Sequence, residues 1–432
     1  MRSLYSGVTG IRSHQMRMDV IGNNIANVNT VGFKGSRVSF TDVMSQTLSS
    51  GSQMTNPMQI GLGVGVGSTD LITDDGSFQM TGRALDLAIQ GSGLFVLKGN
   101  DGQVLYTRAG SFDWNTDGYL FNPANGMRVQ GWMADPETGE IGRTDMGTLT
   151  DIRMVRGDVS LASPSTESTM KGNLDAAAAV GTKYETAFTA YDSLGRPIPI
   201  TLQFERTATG WDWRYASSYT PLSDPTDPTS EPAWETGAGA TSLTFSTAGK
   251  LVFDPTNPAT YTGEITITDP SGAAAAITLD IDFRAITQAY ATSNDSTSGN
   301  NSTVQIDTID GTRMGILESV FIDESGVITG RFTNGTSRVL AQIALANFNN
   351  MGGLTKVGGS TFAESPASGV PSVGRPNTGG RGGLVPGNLE GSNVDLAAEF
   401  TNMIMTQRGF QASTKLVTTA DDMLQELINL RR

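Results

Sequence analysis

A mostly apolar series near the start of the chain steps by four and three: Leu4, Val8, Ile11, Gln15, Met18, Gly22 and Ile25. That is a heptad seam, with Leu4, Ile11, Met18 and Ile25 holding one core position throughout. The same stepping returns at the far end through Leu396, Phe400, Met403, Gln407, Phe410, Thr414, Val417, Asp421, Leu424 and Ile428. One position there is always apolar (Leu396, Met403, Phe410, Val417, Leu424), while the other admits Gln407, Thr414 and Asp421. Ser392 followed by Asp395 predicts a capping box opening the second helix. At ~1.5 Å per residue the two helices span roughly 35–40 Å and 50–55 Å. A single seam cannot cover itself, so the helices are expected to pair with each other or with other chains.

Between them the pattern changes to short apolar or alternating runs, as at 94–97, 202–204, 277–283 and 339–345, which predict strands. Turn dipeptides punctuate these runs: Asp101-Gly102, Asp117-Gly118, Asn125-Gly126, Asp310-Gly311 and Asn334-Gly335. The fold class is therefore α+β, mainly β. Three stretches read as boundaries: the Pro/Ser/Thr/Asp-rich 221–240, the Ser/Thr/Asn run 291–303, and the Pro- and Gly-rich 364–391. The expected organisation is a helical domain (1–33 plus 390–432), an extended connector (34–72 plus 376–389), an inner β domain (73–157 plus 301–375) and an inserted outer β domain (158–300).

Composition narrows the chemistry. The chain has 432 residues with 29 basic and 43 acidic side chains, so a general nucleic-acid or anionic-membrane binder is not expected. Residues 1–50 nevertheless hold five basic and two acidic side chains, so the acidic excess lies further along. There is no cysteine and a single histidine, His14, which removes thiolate and multi-histidine metal sites and leaves no basis for a Ser-His-Asp triad. No apolar run approaches the ~18 residues of a membrane span. Residues 1–30 are too interrupted by Arg2, Arg12, His14, Arg17 and Asp19 for a standard signal peptide.

Several motifs resolve to structural readings. The glycine run 61–67 lacks the spacing of a nucleotide loop and reads as a flexible extended connector. Residues 113–118 match half of a calcium loop but have Ala124 where a bidentate Glu is required, so a hairpin turn is expected. Trp211, Trp213 and Tyr215 alternate along a strand and read as core or inter-subunit packing. His14 reads as solvated or interfacial. Aspartates such as Asp74 and Asp75 have no orienting base and read as solubility. No catalytic, cofactor or metal site is expected.

DVIGNNIANVNTVGFK at 19–34, GSNVDL at 391–396 and FTNMIMTQRGFQ at 400–411 resemble the two signatures of the bacterial flagellar rod and hook family. DLAI at 86–89, GLF at 93–95, YTRAGSF at 106–112 and LANF at 345–348 extend the resemblance inward. The extra length near 158–300, with FTAYDSLG at 188–195 and LTFS at 243–246, is similar to the outer domain of hook members of that family. The longer connector 45–60 resembles rod members more than the shortest hook members.

The resemblance implies a self-assembling subunit of a flexible helical tube that joins rod to filament and transmits torque as a universal joint. The terminal helices would form an inner coiled-coil-like layer, with two β-rich domains stacked radially outside it. Leu4, Val8, Ile11, Met18, Ile25, Leu396, Phe400, Met403, Phe410, Val417, Leu424 and Ile428 would make the assembly seam. Gln407, Thr414 and Asp421 would face the channel. Gly22, Asn23, Asn24, Ala26, Asn27, Gly32, Phe33 and Lys34 are the family signature. Partners would be further copies, the rod, the hook cap, the hook–filament junction and the flagellar type III export apparatus, with no cofactor, nucleic acid or membrane insertion. The subunit would sit outside the cell, exported without a cleaved signal peptide. Leu4 and Val8 match an apolar pair associated with the export gate, with Leu4 where the family has an aromatic. A distal-rod-type protein of the same family, a secreted β-rich adhesin, and an enzyme with a carboxylate pair stand as alternatives.

Overall fold

The structure is a computed structural model that describes residues 2–49, 56, 58–136, 138–142, 145–154, 157–217, 234–255, 257–268, 274–290 and 301–429. The expected boundary stretches 221–240 and 291–303 fall outside the described residues up to 233 and 300 respectively. The chain divides into two compact units. The first comprises Met1–Arg156, Val320–Gly330 and Arg338–Arg432, and the second Gly157–Ser319 and Arg331–Ser337.

The first unit carries both long helices, α1 (Arg2–Ala26) and α2 (Leu396–Asn429). The cap of α2 differs from the expected capping box. Asp395 Oδ1 accepts the backbone N–H groups of Ala397 and Ala398 at 2.8 and 3.3 Å, so Asp395 is the N-cap. Ser392 lies outside the helix, its hydroxyl accepting the Val394 N–H. After α1 come β1 (Ser36–Asp42), β2 (Ser45–Ser49), β3 (Met58–Gly61) and β4 (Val64–Leu71). β1 pairs antiparallel with β4 and β2 with β3. The glycine run 61–67 is thus largely paired strand, and not the free connector its composition suggests. Gly63, at φ +118°, passes so near α1 that a Cβ would stand 2.3 Å from Thr9 Oγ1.

β5 (Phe78–Met80) and β6 (Leu87–Gln90) pair with Asn388–Glu390 and Gly383–Pro386. The Pro-rich approach to α2 is therefore tied to the strands that begin the β region. β7 (Leu94–Lys98) and β8 (Val104–Thr107) continue an antiparallel sheet with Arg128–Met133 on one side and Thr361–Ala363 on the other. One cluster of its core gathers Leu94, Val96, Tyr106, Trp132, Phe348 and Phe362, with Tyr106 and Phe348 edge to face at 4.8 Å. The calcium-like segment is a hairpin turn: Asp113–Trp114 pairs with Leu120–Phe121, and Asn115 Oδ1 caps the turn.

The second unit is two facing sheets over a shared core. Ala238–Gly239, Thr262–Ile267, Ile277–Ala289, Glu167–Asp175 and Gln305–Ile309 form the first, in that spatial order. Lys183–Tyr191, Pro197–Arg206, Trp211–Ser217 and Ser242–Leu243 form the second. Strand alternation explains the core. In Ile277–Ala289 the side chains of Ile277, Leu279, Ile281 and Phe283 point in, while Thr278 and Asp280 point out. Trp211, Trp213 and Tyr215 come from the opposite sheet and are buried, with Trp213 5.3 Å from the Phe283 ring. Their alternation is core packing within the chain. Gln305–Ile309 belongs to this unit, beyond residue 300.

Candidate assembly surface

α1 runs antiparallel to α2, and contacts between the two helices track along both. A Cβ on Gly7 would stand 2.7 Å from Val417 Cγ2, one on Gly10 2.9 Å from Ser413 Oγ, and one on Gly409 2.6 Å from His14 Cε1. Further along, Arg17 donates to Asn402 Oδ1 at 3.4 Å and Asn24 Nδ2 to Glu399 Oε1 at 3.1 Å. The glycines let the two backbones approach closely, so α1 needs no large side chains at these positions.

This geometry selects a heptad phase for α2. Met403, Phe410, Val417 and Leu424 lie half-buried on the same face as Thr406, Ser413 and Ala420. The second position expected from sequence was the other one. Phe400, Gln407, Thr414, Asp421 and Ile428, at that second position, are all exposed, as is Leu396 at the start of the first. On α1, Leu4, Ile11, Met18 and Ile25 are half-buried, whereas Val8 is exposed. The tightest contacts of α1 instead use Gly7, Gly10 and His14.

A third stripe escaped the sequence reading. At ~3.6 residues per turn, Met405, Ala412, Leu416 and Met423 fall within about 20° of one line along α2. Met405, Leu416 and Met423 are 54%, 58% and 54% exposed. A second periodic signal in α2 was hidden because the first already accounted for the helix.

Beneath the helices the signature residues have individual jobs. Asn24 is buried and splints the end of α1 to β1, donating to Ser36 O at 2.8 Å and accepting Ser36 N–H at 3.0 Å. Gly32 has φ +65°, and a Cβ there would meet Ala109 N at 2.5 Å. Asn27 accepts the Thr30 hydroxyl, and Phe33 lies under the Lys356 ammonium at 4.9 Å. Asn23 and Ala26 are exposed, and nothing in the structure explains Gly22, which has open space around it.

Lys34 is the centre of a buried ionic cluster. Its ammonium donates to Glu390 Oε1 at 2.7 Å and to Asp74 O at 2.6 Å. Arg108 bonds the other carboxylate oxygen of Glu390 through Nε, and reaches Asp75 Oδ1 at 2.8 Å, Ile89 O at 2.7 Å and Gly93 O at 2.7 Å. Glu390 also accepts the Gly76 N–H at 3.0 Å. Burial pulls the Lys34 ammonium below the ordinary lysine range, against the opposing pull of Glu390. Asp75, expected to be a solubilising residue, is thus part of a charged clamp joining the exit of α1, the approach to α2 and the β sheet. Its charges satisfy one another, so the arrangement can hold position but has no group free for acid–base work. Among the described residues no group of three or more His, Asp or Glu side chains could hold a metal, and no helix is long and apolar enough to cross a membrane.

Four family models match the chain. "Flagella basal body rod protein" matches 4–34, "Flagellar hook protein FlgE/F/G D1 domain" 88–160, "Flagellar basal body protein FlaE D2 domain" 160–305, and "Flagellar basal body rod FlgEFG protein C-terminal" 385–430. The chain is 38% identical to the flagellar hook proteins FlgE of Treponema pallidum and Borreliella burgdorferi, over the full length of all three. Among solved structures it is similar to the Helicobacter pylori flagellar hook protein FlgE2, with a TM-score of 0.47 and 16% identity, over 71% of this chain and 98% of that one.

Proposed function

The chain belongs to the flagellar hook protein family, and we propose on that premise that copies dock through the outward faces of α1 and α2. The family is structural, and this protein is a structural subunit of the bacterial flagellar hook. Self-assembly into the hook follows from that role. The residues that carry it are our reading. Met403, Phe410, Val417 and Leu424 would lock α2 to α1 within the subunit, together with Leu4, Ile11, Met18 and Ile25. The exposed Met405, Leu416 and Met423 would seat on the helices of a neighbouring copy, whereas the exposed Leu396, Phe400 and Ile428 share the other shoulder of α2 with Gln407, Thr414 and Asp421.

The single observation that carries this reading is the apolar stripe on α2, left uncovered within the chain. Covering its side chains is worth about 25 cal/mol per Å² of apolar surface removed from water. Gln407, Thr414 and Asp421 lie on a different shoulder of the same helix and would face water in the channel, where a polar lining would not hold passing chains. The helices would lock the tube, while the Gly/Ser/Thr-rich outer surfaces slide as it bends and transmits torque. Further partners would be the rod, the hook cap, the hook–filament junction and the type III export apparatus, with export needing no cleaved leader.

The test is Leu416→Asp, read by negative-stain electron microscopy of concentrated protein and by circular dichroism of the monomer. Tubes should be lost while the monomer keeps its secondary structure. Normal tubes from this variant would remove α2's outer stripe from the interface.

A further inference from the structure

The outer stripe of α2 contains two thioethers, and both are open to solvent in the single subunit. Met405 and Met423 are each 54% exposed and lie 18 residues apart on one line, about 27 Å along the helix. Between them the stripe holds only Ala412 and Leu416. Thioether sulfur is the readily oxidised group on this line, since the chain has no cysteine. We propose that Met405 and Met423 are oxidation sites through which a peroxide decides whether a subunit can join the polymer. This inference rests on the reading that the stripe docks against another copy.

The step balances simply. The methionine sulfur attacks one oxygen of hydrogen peroxide, the S–O bond forms as the O–O bond breaks, and the peroxide leaves as water. Sulfur gives up two electrons and becomes a sulfoxide. The product is a strong hydrogen-bond acceptor where an apolar, adaptable side chain had been. Covering that acceptor against an apolar surface without a donor is unfavourable, so each oxidised subunit loses affinity for the growing tube. Once a subunit is assembled the same sulfurs are covered, and the hook becomes insensitive to the oxidant that blocks its precursor. Met80 and Met314, at 82% and 57% exposed, are oxidised as readily but lie outside the helices. They serve as internal references.

The experiment uses the full chain. Monomer is partly oxidised with hydrogen peroxide and polymerised, and the pellet and supernatant are separated by centrifugation. Peptide mass spectrometry then reads the sulfoxide fraction at each methionine in both. Sulfoxide at Met405 and Met423 should be at least ~tenfold enriched in the supernatant, while that at Met80 and Met314 partitions evenly. Methionine sulfoxide reductase with a thiol reductant should return the excluded fraction to the polymer. Even partitioning of all four residues, or equal exclusion of all four, overturns the inference. The double variant Met405→Asp/Met423→Asp separates the two levels. If it fails to polymerise while sulfoxides partition evenly, only the oxidation step is wrong. If it polymerises normally, the docking reading itself falls.

Discussion

His14, the chain's single histidine, lies where α1, α2 and β1 meet, against Gly409 and edge to face with Phe40 at 5.6 Å. Its Nδ1 is buried without a protein hydrogen-bond partner, and burial together with the nearby Arg17 charge pulls its pKa below 6.5. A depressed histidine stays neutral in the fold while the unfolded chain takes up a proton. Its stabilising contribution is therefore complete above 6.5 and is lost as pH falls from there through the folded pKa. Thermal melts should show wild type losing more stability than His14→Gln between about pH 7 and 5; parallel losses would mean the ring is not read by the fold. The clamp makes a stronger claim. Glu390→Gln would leave Lys34 and Arg108 buried without their shared carboxylate, at a cost of about 3–5 kcal/mol in denaturant unfolding. Asp75→Asn should cost less, because Asp75 is 34% exposed. Lys34 was visible in sequence as part of a signature, but its pairing was not, because Glu390 lies 356 residues away.

The helices themselves were legible from their stepping, and so were the strands at 94–97 and 277–283. The phase of α2 was not. A heptad with one strong position is compatible with two choices for the other, and large apolar residues such as Phe400 favour the wrong one. α2 turns Ser413 and Val417 to α1, where α1 presents Gly10 and Gly7, and Gly409 of α2 lies against His14, so small residues on both sides bring the backbones together. Cap and strand assignments failed for related reasons: Asp395 competes with Ser392 as a cap, and glycines at 61–67 disguise a strand whose neighbour must pass close. The faces of α2 can be separated experimentally. Phe410→Ser should destabilise the helix pair by about 2–4 kcal/mol and abolish assembly. Gln407→Leu should leave monomer stability within ~0.5 kcal/mol and still permit tubes, while slowing passage of later subunits. Electron microscopy of hooks and analysis of exported filament protein in culture supernatants read both effects. Normal assembly of Phe410→Ser with failure of Gln407→Leu would reverse the two faces.

For the whole molecule the question is where an autonomous unit ends. Composition marks 291–303 as an exit, since Ser, Thr and Asn runs resist packing. The chain nevertheless returns to the second unit after that run. Val304 is fully buried, and Gln305–Ile309 pairs antiparallel with Glu167–Asp175 at the sheet's edge. Ile306 and Ile309 pack against the same core as Trp211 and Phe283. A polar run identifies a loop, but only the register of the next strand says which sheet it rejoins. Two fragments distinguish these boundaries. Residues 158–319 should unfold in one cooperative transition with a large change in tryptophan fluorescence, because Trp211 and Trp213 are buried in a core this fragment retains. Residues 158–300 lose an edge strand and three apolar side chains, and should be at least ~3 kcal/mol less stable or fail to fold. Equal unfolding midpoints would move the boundary back to 300. Absence of a cooperative transition in the longer fragment would show instead that this core depends on the rest of the chain.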